Sequence, residues 1–229
     1  MAKILFITQR YHPAVGGAES YVKTLAEWRV EQGDSVDVWA SDAIDADALR
    51  IPKRERIDEE RAVVNGVNVR RFESSPLFLN NVFISKGFRY VLWHLPSWHA
   101  QCIGSPPTCL GMVAEVNKKD LPQYDIIHVS AMPYTSLMYV GLQLAEKTGA
   151  KLYITPFQHA NVKSNYVLED KYYHPRTLPF YAAADKVFVQ TEAERKGLIS
   201  FFDQYKGFNR YSQLVEDGYA KASEISDST

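Results

Sequence analysis

Cysteine is scarce in this chain, which has only Cys102 and Cys109, separated by six residues. Two such thiols exclude a disulfide framework and a thiolate zinc site, and they read as a reduced, partly buried pair. Long apolar runs are missing as well. Nowhere do 18 apolar residues follow one another, so no bilayer-spanning helix is expected. The opening Met1-Ala2-Lys3-Ile4-Leu5-Phe6-Ile7 gives way to Thr8-Gln9-Arg10, too short an apolar run for a secretory signal, and the default compartment is cytoplasmic. Neither sign of charge is in excess: 26 basic and 27 acidic residues leave a formal net charge of -1, with no electrostatic footprint for nucleic acid. What is there is an ordinary globular composition, 46% hydrophobic and 23% charged, on 229 residues. That length buries the core of one large α/β domain as readily as two small ones.

Ile4 to Thr8 is a continuous apolar run, as expected of a strand buried on both faces of a parallel sheet. After a loop, Ala18, Tyr21, Val22, Leu25 and Ala26 recur at helical spacing, and Gly33 offers a left-handed stop. Ser35 to Ala40 then reads as a second strand, completing a βαβ unit whose crossover is right-handed. The alternation returns downstream. Strands are expected at 67–72, 125–129, 151–155 and 186–190, and helices at 136–147 (closed by Gly149), 178–184 and 192–202 (opened by Thr191 with Glu194). Repeated strand and helix alternation predicts an α/β fold: a doubly wound, mainly parallel, Rossmann-like sheet over residues 1–202. Residues 203–229 form a tail that is partly helical and packs on the domain, or frays.

Three regions break this rhythm. Residues 42–61 hold seven acidic and five basic side chains and read as a solvated connection. From Pro76 to Ala114 there is no Asp or Glu, while Lys86 and Arg89 sit among Phe83, Phe88, Tyr90, Trp93 and Trp98. Such a stretch either packs on the sheet as an ordinary helix or makes peripheral contact with a membrane surface. In the tail, Tyr211, Leu214, Val215, Tyr219, Ala222 and Ile225 fall on one helical stripe.

The most informative residues are Tyr11-His12-Pro13-Ala14-Val15-Gly16-Gly17-Ala18-Glu19. Paired glycines between strand and helix let the backbone approach a ligand, and they aim the first helical amides, which carry partial positive charge, at the crevice beyond the strand ends. A diphosphate suits that position. A plain loop, with a glycine cap and Glu19 favouring the helix dipole, is the structural alternative. A nicotinamide-binding fingerprint is disfavoured. No G-x-G-x-x-G follows the strand, although Asp42 supplies an acid at the right distance. Tyr11 and His12 face the expected cleft and are acceptor-side candidates. His128, inside an apolar strand, reads as an interior histidine or as an acceptor contact.

Tyr11-x-Pro13-x-x-Gly16-Gly17-x-Glu19 after an amino-terminal apolar strand, with a helix continuing Tyr21-Val22-x-x-Leu25-Ala26, resembles the family-4 retaining GT-B glycosyltransferases. The resemblance continues through Asp125-Ile126-Ile127-His128-Val129, Thr155-Pro156-Phe157-Gln158-His159 and Ala184-Asp185-Lys186-Val187-Phe188-Val189-Gln190-Thr191-x-x-Glu194. It implies the amino-terminal, acceptor-side half of a GT-B enzyme. The implied reaction moves a sugar from a nucleotide-diphosphate sugar to the hydroxyl of a sugar, small-molecule or lipid-linked acceptor, with retention. It implies no metal and no cofactor besides that donor; the chain shows no His/Cys cluster at ligand spacing. By the same resemblance Gly16 and Gly17 lie over the donor diphosphate. His159 stands beside the donor sugar, although the family more often has His-Gly where this chain has His159-Ala160.

The family's donor-gripping second domain has no counterpart after Phe202, so an inactive half is expected, the tail being a helix that crosses back onto the first domain. A non-catalytic sugar- or acceptor-binding module is the alternative, and a nicotinamide-dependent enzyme a more distant one.

Overall fold

The computed structural model describes residues 1–49, 51, 54–74, 82–95, 97–104, 107–157 and 172–205. The elements run β1 (Lys3–Thr8), α1 (Gly17–Glu31), β2 (Ser35–Ser41), β3 (Arg61–Val64), β4 (Val67–Phe72), α2 (Val82–His94), α3 (Trp98–Ile103), α4 (Leu110–Glu115), β5 (Ile126–Ser130), α5 (Thr135–Thr148), β6 (Lys151–Ile154), a 3-10 turn (Pro175–Thr177), α6 (Leu178–Ala183), β7 (Lys186–Val187) and α7 (Glu192–Asp203).

The seven strands lie in the order β3-β4-β2-β1-β5-β6-β7. All neighbours are parallel except the β3–β4 pair. This is the expected doubly wound Rossmann-like sheet. The chain builds outward from β1 to β2 and β4, then returns to the other side of β1 to lay down β5, β6 and β7. That reversal puts a switch point between β1 and β5, whose registers include Ile7 opposite Val129 and Thr8 opposite Ser130.

Strand period two sorts the core into two layers. Leu5, Ile7, Ile127, Val129, Leu152 and Ile154 face the layer built with α5, α6 and α7. Ile4, Phe6, Val36, Val38, Val67 and Val69 face α1, which lays down Val22 and Ala26. Helix α5 is buried along most of its length and passes so close to β5 that a β-carbon at Gly141 would run into the Val129 side chain. Gly149 ends it in the left-handed conformation, φ 73°. Thr191 accepts the Glu194 amide at 3.1 Å to open α7, while the Glu194 carboxylate reaches back one residue further, to the Gln190 amide at 2.6 Å.

Two expectations need correction. Strand β7 spans only Lys186–Val187, shorter than the predicted 186–190. The charged stretch 42–61 is also more ordered than its composition implied. Arg56 reaches Asp42 at 2.6 Å, Ala43 bridges Arg56, and Ala43, Ala48 and Leu49 are buried. Its end, Arg61, begins the antiparallel edge strand β3. A turn at Asn65-Gly66 (φ 50° and 84°) returns the chain into β4, the pairing of positive φ angles that suits a tight hairpin. Cys102 and Cys109 are free and buried; burial pushes both thiols up, Cys102 to about 12. The stripe from Tyr211 to Ile225 lies outside the described residues. Among the described residues no helix is long and apolar enough to cross a membrane.

Candidate functional site

The carboxyl ends of β1 and β5 open onto the loop of residues 9–16 that leads into α1. Partly buried hydrogen bonds hold this loop down. The Ser41 hydroxyl, at the end of β2, donates to the Gln9 carbonyl. Arg71, near the end of β4 and only 4% exposed, donates from Nη2 to the His12 carbonyl at 2.8 Å and from Nη1 to the Glu59 carbonyl at 2.9 Å. Thr8 Oγ1 donates to the Ser130 carbonyl at 3.4 Å, tying the two central strand ends together. The His12–Pro13 and Met132–Pro133 peptides, one in each flanking loop, are both cis.

At the far end of the loop the two glycines differ. Gly16 caps α1 in a fully extended conformation (φ 172°, ψ 169°) and makes no side-chain cap hydrogen bond. The space a β-carbon would take on Gly16 is filled by the Glu19 carboxylate. Glu19 is 3% exposed, pairs with Arg10 at 2.6 Å, and accepts from Gln9 Nε2 at 3.4 Å. On Gly17 the same position meets nothing within 4 Å, and the residue is exposed. The Arg10–Glu19 pair is electrically balanced. The positive potential at this point is therefore that of the first α1 amides, which have no intrahelical acceptors.

The other expected site residues divide. His12 is exposed within this loop. Tyr11, expected to face the cleft, is instead fully buried among Phe6, Val38 and Val69. The chain turns inward immediately after β1, and burial holds the phenol far above its ordinary titration range. His128 is also interior, at 5% exposure: β5 is central and covered on both faces. Its Nε2 lies 2.7 Å from Thr155 Oγ1, the rings of Phe6 and Phe188 stand at 5.2 and 5.5 Å, and burial lowers it to about 3. The imidazole is packed and neutral, the interior histidine of the two readings taken from the sequence. His159 lies outside the described residues.

Sequence reasoning missed Arg71, whose role depends on β4 lying beside β2. It also passed over one Asp-x-Asp spacing, Asp45-Ala46-Asp47. Asp45 Oδ1 accepts the Ala48 amide at 2.7 Å and Asp47 pairs with Arg54 at 3.0 Å. Among the described residues no group of three or more His, Cys, Asp or Glu is placed to hold a metal.

A comparison with known protein families decides what kind of domain carries this loop. The profile of the glycosyl transferase 4-like domain matches residues 16–203, from the first glycine of the pair to the end of α7. The chain belongs to this family. No curated protein matches it at a significant level. A glycosyl transferase 4-like domain is a transferase acting on sugars, and its match covers every strand from β2 to β7, including β5 on one side of the switch point.

Proposed function

We propose that this domain transfers a glycosyl group from a nucleotide-diphosphate sugar to an acceptor hydroxyl, with retention at the anomeric carbon. The single observation that carries the reading is the uncapped amino terminus of α1 at the switch point, with open space over Gly17. There the amides of Gly17 and Ala18 stabilise the negative charge that develops as the diphosphate leaves, a role for fixed dipoles that requires no resident metal. Gly16 gives the turn its shape, with the Glu19 carboxylate seated against it. His12 lies on the acceptor side and His159 beside the donor sugar. By the family resemblance, base and sugar are gripped by a second domain, and the part of the donor that meets this loop is the diphosphate. The acceptor is a sugar, a small molecule or a lipid-linked acceptor, reached at the cytoplasmic face.

Calorimetric titration of uridine and guanosine diphosphate into the chain tests this. Binding to the wild type and a loss of about tenfold or more in Gly17→Val, whose branched side chain obstructs the backbone approach, are expected. Equal heats for both proteins would remove the loop from the donor site.

A further inference from the structure

Glu19 is the third residue of α1, the place from which a helical carboxylate ordinarily reaches back to the amide of the cap residue. Here the carboxylate turns toward the end of β1. Among the described residues it accepts from Arg10 Nη2 at 2.6 Å and from Gln9 Nε2 at 3.4 Å. Lys23, one turn further along α1, is taken by Glu27 at 2.7 Å. The Glu19 carboxylate and Arg10 Nη2 both lie against Gly16, the guanidinium nitrogen 3.4 Å from the position a β-carbon would take there. Both side chains are largely buried, at 3% exposure for Glu19 and 14% for Arg10.

Gly17, whose amide the donor site uses, is the next residue, and adjacent Cα atoms are only about 3.8 Å apart. A full negative charge is therefore built beside the position assigned to an anion. In surroundings this poorly hydrated, a lone carboxylate would repel a diphosphate far more strongly than it would in water. The partial positive charge of a helix amino terminus, roughly half a unit, does not cancel a whole negative one. Arg10 does. With the carboxylate held by a guanidinium, the terminus is left to the backbone dipoles, and their field reaches the open space over Gly17.

We propose that Arg10 is a positioning residue for the diphosphate and acts through Glu19: it neutralises the carboxylate, so that the amides of Gly17 and Ala18 meet an anion without a competing charge. The inference rests on the placement of the diphosphate at this loop. It assigns the phosphate to the backbone and not to the guanidinium, which Glu19 engages. Glu19 in turn fills the place beside Gly16, so the pair braces the turn at no net charge.

Titration calorimetry of uridine and guanosine diphosphate into the full chain and three variants, with a thermal melt of each, tests this. Arg10→Gln leaves the carboxylate without its cation and is expected to bind about tenfold or more weakly than the wild type. Glu19→Gln removes the anion and is expected to bind at least as tightly as the wild type. The protein with both changes has neither charge and is expected to regain most of the affinity lost in Arg10→Gln. Should Arg10→Gln not fold around its unpaired carboxylate, the double variant decides: binding on the wild-type scale supports the role, and a loss of about tenfold or more overturns it. If Glu19→Gln loses affinity as Arg10→Gln does, the pair is a structural brace alone and the proposal is overturned. A double variant as weak as Arg10→Gln makes the guanidinium a direct phosphate contact and overturns the indirect role. Equal affinity in all four proteins overturns it as well. In each of those outcomes the wild type still binds diphosphate, so the loop keeps its place in the donor site. A wild type that binds neither diphosphate removes the loop from that site, and the role of Arg10 with it.

Discussion

The two polar regions of this domain are built on opposite terms. At the end of β1 the charges are compensated within the protein: Arg10 faces Glu19, and Arg71 is spent on two backbone carbonyls. At the α2 corner Arg176 meets no carboxylate among the described residues and lies over the Trp93 ring. A loop whose charges are all matched is held in one shape and offers a ligand its backbone. The corner is instead held by a cation stacked on a ring and bonded to His174.

The largest effect that would sharpen the contrast is at Arg71. Arg71→Met leaves the His12 and Glu59 carbonyls without their donor and is expected to cost about 3 kcal/mol or more by denaturant unfolding. Arg176→Met removes a guanidinium that meets no carboxylate among the described residues and should cost under about 1 kcal/mol. Equal losses would erase the distinction between the two regions.

The next effect concerns pH. His128 has an ordinary value of 6.5 that burial lowers to about 3, so the unfolded chain binds its proton first as pH falls. Its contribution is complete above the unfolded value and is lost below it, by about 3 kcal/mol at pH 4. A plot of melting temperature against pH should therefore fall less steeply between pH 6.5 and 4 in His128→Gln than in the wild type. Parallel plots would mean the imidazole is not buried neutral.

Within the glycine pair the expected effects are smaller and again unequal. Gly16→Ala forces the Glu19 carboxylate to move and should cost about 1–3 kcal/mol. Gly17→Ala enters open space and should change stability by under about 0.5 kcal/mol. Thermal melts of the two variants side by side read the difference. A Gly16→Ala protein as stable as Gly17→Ala would show that Glu19 is not seated there.

How much of this was legible in the sequence follows from which contacts are local. The β1-α1-β2 unit could be read because the Ile4–Thr8 run, the spacing of Val22 and Ala26, and the stop at Gly33 are all short-range patterns. Edge strand β3 could not. Its one charge, Arg61, ends a stretch that looks solvated in sequence, and only the return through Asn65-Gly66 beside β4 gives the strand a place. The Asp42–Arg56 pair, closed across a loop, carries no local signal either. For the site, the glycine pair was legible as a strand-to-helix junction, and the inequality of its members was not, since it depends on where the Glu19 side chain folds back. Spacing alone placed Tyr11 and His128 near the strand ends but gave no sign of which way each side chain turns. Both turn inward.

The central claim is that ligand phosphate meets the backbone at the start of α1. Its most direct test is a nitrogen–proton correlation spectrum of the labelled chain, recorded while a nucleoside diphosphate is added. The account predicts that the amides of Gly17 and Ala18 shift progressively and saturably, while those flanking Arg176 stay in place. Shifts that spare Gly17 and Ala18 would contradict it.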